Sequence, residues 1–142
     1  MGDYHIRMQF DLAADLSAVR QVLTTQDGIT SWWSSQSTLD RNARRLLVRF
    51  PDQPQPFEFD VREGDGRIDW VTGGFPPWWA GTTVRWRIGP NPDAAGTRLM
   101  FEHRDYDPDN PVIPIVTPAW ALIIQRLKGL VETGTRQPFF DF

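Results

Sequence analysis

From Thr83 to Arg104 the chain alternates with a period of two, interrupted once by a turn. Thr83, Arg85 and Arg87 alternate with Val84, Trp86 and Ile88; after Pro90, Asn91, Pro92, Asp93 and Gly96 the pattern resumes. Leu99, Phe101 and His103 then alternate with Arg98, Met100 and Glu102. Two such runs predict paired strands with one buried and one wet face, because successive side chains leave a strand on opposite sides. The buried row reads Val84, Trp86, Ile88, Leu99, Phe101, and then His103. A histidine that continues an apolar row is the polar residue with most to say about function.

The rest of the chain supplies further strands. Tyr4, Ile6, Met8 and Phe10 alternate with His5, Arg7, Gln9 and Asp11. Leu46, Val48 and Phe50 make another run, as do Phe57, Phe59 and Val61, and then Ile68 with Trp70. Pro51, Pro54 and Pro56 separate the first two of these, and Glu63-Gly64-Asp65-Gly66 is a hairpin signal. Ser34 to Asn42 is polar and poorly patterned, a loop or a ragged edge strand. Connections this short predict an antiparallel meander.

Helices flank the strands. Asp15 is placed to cap a helix in which Leu16, Val19, Val22 and Leu23 recur at helical spacing. Ile29, Trp32 and Trp33 predict a second short helix with one tryptophan buried and the other partly exposed. Pro108, Pro111 and Pro114 predict an extended path from Asp105 to Thr117. Thr117-Pro118 then reads as the start of the longest helix, and Gly134 as its end. Its apolar stripe is Trp120, Ile123, Ile124, Leu127, Leu130 and Val131. Gly129 inside it implies a close approach by another element, or room left beneath the helix. The phenylalanines of the tail are placed to pack on the body or on a second subunit, as a homodimer would require.

The 142 residues are expected to form a single domain spanning residues 1–142. With no cysteine, disulfides, thiol nucleophiles and Cys-ligated metals are excluded. A net charge of −3 and a pI near 5.3 give no global basic footprint for nucleic acid. No apolar run approaches a membrane span and no signal peptide is evident, so a soluble cytoplasmic protein is expected. Two histidines without ligand spacing argue for no metal, and no other cofactor is implied. There is no G-x-S-x-G, and the turn glycines precede no lysine-bearing helix. The outward row of Glu58, Asp60, Arg62, Arg67, Asp69, Arg85, Arg87, Arg98 and Glu102 reads as a solvated face, or as a surface for an acidic partner.

The order of these elements, strand, two short helices, about six antiparallel strands and a long helix, resembles the helix-grip fold of the START-like (SRPBCC) superfamily. That superfamily includes lipid-transfer START domains, the birch-pollen allergen group and polyketide cyclases. The sequence is most similar to the bacterial proteins resembling the activator domain of the heat-shock-protein-90 ATPase. The resemblance rests on Ile29 to Trp33, Ala80-Gly81-Thr82-Thr83-Val84 into Trp86, Gly96-Thr97-Arg98-Leu99, His103, Trp120, and Leu127-Lys128-Gly129-Leu130 up to Gly134. It implies an α+β domain whose curved sheet of six or seven strands wraps around the C-terminal helix. It also implies a cavity between them for a hydrophobic, lipid- or polyketide-like small molecule.

Within that frame the expected ligand-lining residues are Trp70, Trp86, Phe101, His103, Tyr106, Trp120, Ile123 and Leu127. His103 is the candidate general acid or base for a cyclase or dehydratase, the alternative to a pure binding protein. A co-chaperone-like interaction module with a chaperone partner is the other alternative. Trp78 and Trp79, in a Gly- and Pro-rich loop, could close the cavity mouth, form an exposed patch, or anchor the loop inward.

Overall fold

A computed structural model describes residues 2–142. It places β1 (Tyr4–Leu12) ahead of two short helices, α1 (Leu16–Thr24) and α2 (Gln26–Trp32). Six strands follow: β2 (Ser37–Asp40), β3 (Arg45–Val48), β4 (Phe57–Gly64), β5 (Arg67–Thr72), β6 (Thr83–Pro90) and β7 (Thr97–Tyr106). The chain ends in α3 (Ile113–Thr133) and a short tail. All seven strands join one antiparallel sheet in the order β1-β7-β6-β5-β4-β3-β2. The segment left as loop or edge strand is an edge strand at β2. Among the described residues, no helix is long and apolar enough to cross a membrane.

The β6–β7 alternation sorts as its pattern predicts. Val84, Trp86, Ile88, Leu99, Phe101 and His103 are all buried on the inner face, and register pairs Val84 with His103 and Trp86 with Phe101. The helix α3 covers that face with Trp120, Ile123, Ile124 and Leu127, which are buried, while Leu130 and Val131 are only partly so. Gly134 closes α3 in a left-handed conformation, φ 76°, and its N–H bonds the Leu130 carbonyl.

Three expectations are corrected. First, α3 starts at Ile113 and not at Thr117-Pro118. Pro114 falls in its first turn, where a missing N–H is tolerated, whereas Pro118 lies inside the helix and has no N–H to donate to the turn before it. The segment after Tyr106 is therefore a turn followed by helix, and not an extended path. Second, Trp32 and Trp33 are both fully buried. Trp33 caps the helix, still in the right-handed helical region at φ −103°, ψ −79°, with its N–H on the Ile29 carbonyl. Both rings are buried because the sheet, α3 and the tail enclose the helix end, and they stack with planes 12° apart. Third, of the two readings of Gly129 the close approach is excluded and open space remains: a Cβ there would meet nothing within 4 Å.

The tail packs on its own domain. Backbone N–H groups of Gln137, Phe139 and Phe140 donate to the carbonyls of Ser31, Trp32 and Trp33. Those are carbonyls that the end of α2 would otherwise leave unpaired. Phe140 stacks beside Phe50, ring centroids 4.6 Å apart.

Candidate functional site

The inner face is filled by its own aromatics. Trp32, Trp33, Trp70 and Trp86 have no exposed surface, and Trp120 and Trp79 are 1% and 2% exposed. Trp33 lies nearly parallel to Trp70 with centroids 5.6 Å apart, and Trp86 meets Trp70 edge-on at 5.2 Å. Contacts of this kind add about 0.5–1.5 kcal/mol each beyond the area they bury. At one end of these aromatics lies a small void of about 40 Å³, half open to solvent and bordered by Trp33, Phe50, Trp79, Trp120, Ile123 and Phe140.

An open groove of about 700 Å³ lies at the same end of the molecule. Trp78, Gly81, Thr82, Asp105, Tyr106 and Asn110 contribute to its walls. The loop between β5 and β6 separates the two spaces. A single 3₁₀ turn, Pro77–Trp79, sends Trp79 inward to the void, whereas Trp78 faces the groove and is 39% exposed.

His103 connects the two. Its Nδ1 accepts a hydrogen bond from Trp120 Nε1 at 3.0 Å, and its Nε2 lies 2.9 Å from Thr82 Oγ1. An indole N–H can only donate, so Nδ1 carries the lone pair and Nε2 carries the proton. Nε2 therefore donates to Thr82, whose hydroxyl donates onward to the Trp79 carbonyl at 2.7 Å. The Tyr106 hydroxyl sits 3.1 Å from the same Nδ1 and shares its lone pair as a second donor.

This geometry decides the charge of the site. Complete burial pushes the His103 pKa down to about 3. A proton on Nδ1 would also face two donors, so the ring is a neutral acceptor and donor with both nitrogens engaged. Burial raises the Tyr106 pKa above its ordinary range. The Trp79 indole nitrogen lies close enough to that hydroxyl to temper the rise, but makes no hydrogen bond. The site offers fixed neutral dipoles and apolar surface.

The eight expected lining residues are all buried, but they do not surround one cavity. Trp120 and Ile123 border the void, and Tyr106 borders the groove. His103 lies between, its ring 5.9 Å from Trp120 and 4.6 Å from Tyr106. Trp70, Trp86, Phe101 and Leu127 border neither and form packed core behind them. Thr82 escaped the sequence reading as a site residue, although it extends the inward row of Val84, Trp86 and Ile88 by one step. Phe50 and Phe140 had no local signal, since the tail brings Phe140 to Phe50 across most of the chain. His5 points outward as expected, but its Nδ1 accepts the Asp105 N–H at 3.0 Å. Among the described residues, no three His, Asp or Glu side chains gather as a metal site.

No family model matches the sequence, and no curated protein matches it. Solved structures do match the fold. The solution structure of the Aha1 dimer from Colwellia psychrerythraea superposes with a TM-score of 0.79 at 21% identity, covering 92% of this chain and 98% of that one. A solution structure of the Bacillus halodurans protein BH1534 gives 0.70 at 16% identity over 93% of this chain and 100% of that one. DynU16, from the dynemicin biosynthetic locus, gives 0.72 at 18% identity; the match covers 99% of this chain but 51% of DynU16. Over nearly its whole length the chain has the same helix-grip-like fold as these structures.

Proposed function

We propose that this protein binds a small, largely apolar molecule at the end of the sheet–helix interior closed by the loop that carries Trp79. The observation that carries this reading is the double role of that loop: Trp79 borders the small apolar void, and Trp78, Gly81 and Thr82 border the open groove. A void of about 40 Å³ is well below the ~300–1,000 Å³ of ordinary ligand sites. In this reading the ligand gains its volume when Trp79 yields and joins void and groove. Trp33, Trp120, Ile123 and Phe140 would then supply apolar contact, with Trp70, Trp86, Phe101 and Leu127 as the rigid wall behind.

Tyr106 and Thr82 are the hydroxyls at the junction, and His103 holds both in place. In this reading His103 orients the ligand's polar end through them. Its engaged lone pair and low pKa suit positioning better than proton abstraction.

Native mass spectrometry of freshly purified protein, followed by titration with medium-chain fatty acids and naphthalene-type probes, tests the reading. A co-purifying adduct of small-molecule mass, or a saturable rise in melting temperature of several degrees, about what a ligand at many times its Kd produces, is expected. A clean apo mass together with no thermal shift from any apolar probe would overturn it.

A further inference from the structure

The geometry points to a second recognition surface, on the outer face of the sheet, fitted to a short acidic polypeptide segment. Register builds a ladder of alternating charge across five strands. Arg7 of β1 faces Glu102 of β7, which faces Arg85 of β6; Arg85 faces Asp69 of β5, and Asp69 faces Arg62 of β4. Arg87 and Arg67 pair in the neighbouring row, and Arg104 reaches Glu102 at 3.1 Å.

Six guanidiniums thus surround two carboxylates, and the carboxylates lie beneath them. Glu102 and Asp69 side chains are only 6% and 11% exposed, whereas Arg7, Arg67 and Arg87 are 69%, 48% and 50% exposed. The exposed three approach those acids most closely through Nε, at 3.2, 3.7 and 3.7 Å. Their terminal nitrogens make no hydrogen bond among the described residues, so the fork ends that recognise carboxylates in pairs are available. With Asp105 also acting on Arg85, the local surplus is three positive charges, on a chain whose net charge is −3.

Charge complementarity selects the occupant. The basic area is about 20 Å across, the width of five strands, and it runs to the open edge at β1. Along β7 it ends where Asp11 and Asp93 enclose Arg98, and beyond β4 Arg45 is flanked by Glu58 and Asp60. The face carries no aromatic side chain on which bases could stack, and Met100 and Val71 are its apolar members, too few for insertion into a bilayer. A short run of Asp and Glu fits; a nucleic acid or an anionic membrane does not.

Fluorescence anisotropy with a labelled oligo-glutamate peptide tests this in the intact protein. Saturable binding is expected at low salt, weakening as salt is added. The variant Arg7→Gln/Arg67→Gln/Arg87→Gln should lose roughly tenfold or more in affinity; it should melt somewhat lower, because Glu102 and Asp69 lose neighbouring positive charge, while keeping the wild-type circular dichroism spectrum at the binding temperature. Arg20→Gln/Arg44→Gln/Arg49→Gln, with the same change in net charge away from the patch, should stay within about twofold. Absence of peptide binding, an equal loss in both variants, or tighter binding to a single-stranded oligonucleotide or to phosphatidylserine vesicles would each overturn the assignment.

Discussion

The chain holds two adjacent tryptophan pairs, Trp32–Trp33 and Trp78–Trp79, and their surroundings are opposite. The first pair ends a helix and is tied on both sides. Trp32 Nε1 donates to the Val22 carbonyl at 2.8 Å, and the tail's Phe139 and Phe140 N–H groups bond both tryptophan carbonyls. Both rings are stacked into the centre of the aromatic core. The second pair sits in a loop of glycines and prolines, one ring outward and one inward. The Trp33 and Trp79 rings border the same small void and neither indole N–H has a hydrogen-bond partner, so the pairs differ in the backbone that carries them. Burying an indole does not by itself make it core. What counts is whether the backbone beneath it has somewhere else to go.

Truncating each inner member should separate the two cases. Trp33→Ala removes a ring in contact with Trp70, Trp120, Phe50 and Phe59, in a place where helix and tail hold the backbone. It should cost about 3–5 kcal/mol, the range for large aromatic truncations that leave an unrelaxed cavity. Trp79→Ala should cost less, about 1–3 kcal/mol, because its loop can settle; the loss of a buried unpaired indole donor is common to both variants. The Trp33 variant, whose cavity persists, should also gain affinity for indole- or benzene-sized molecules, and the Trp79 variant, whose loop fills the space, should not. Urea unfolding with and without such a probe checks both. Equal costs and no probe binding would erase the distinction.

Much of this was readable beforehand, but unevenly. Strand alternation located His103 and its apolar row because burial on one sheet face is a period-two property, local to each strand. The same parity, carried one residue further, would have found Thr82. The tryptophan pairs were less legible. Helical geometry predicts that one of Trp32 and Trp33 reaches solvent, and neither does because the distant tail and α3 cover the side that a lone helix would expose. The start of α3 was hidden by its prolines: Pro114 sits in the first turn, where no N–H is needed, and Pro118 is carried inside the helix despite the bond it forgoes. Whether the interior is open or plugged depends on volumes summed over six elements, and no window of sequence holds that sum.

Acid should act on the second pair before the first. His103 links to Trp79 through Thr82, and its ring lies 4.7 Å from the Trp79 ring. Its folded pKa, about 3, lies below the ordinary histidine value of 6.5. The unfolded chain therefore binds a proton that the folded chain refuses. Stability should be full above pH 6.5 and fall as the pH drops towards 3, by up to about 1.4 kcal/mol per unit. His103→Gln, which offers one acceptor and one donor without titrating, should flatten that slope by about one proton. Urea midpoints for both proteins between pH 7 and pH 4 give the comparison. Identical slopes would mean that His103 takes up a proton in the fold, and the tie to Trp79 would lose its meaning.

The smallest effect tests whether a second opening exists under the helix. Gly129 is the one glycine inside α3, and a Cβ there would meet no atom within 4 Å. A Gly→Ala change in a helix interior without a clash gains about 0.5–1 kcal/mol, since glycine loses more backbone freedom on folding. Gly129→Ala should therefore stabilise the protein by that amount. If Gly129 were instead the space through which a ligand reaches the core, the added methyl would weaken binding of whatever probe the wild type takes. The expected result is a small gain in stability with probe affinity unchanged, which places the only yielding part of the interior at Trp79. A loss of affinity would move the entrance to the helix and leave Trp79 as firmly core as Trp33.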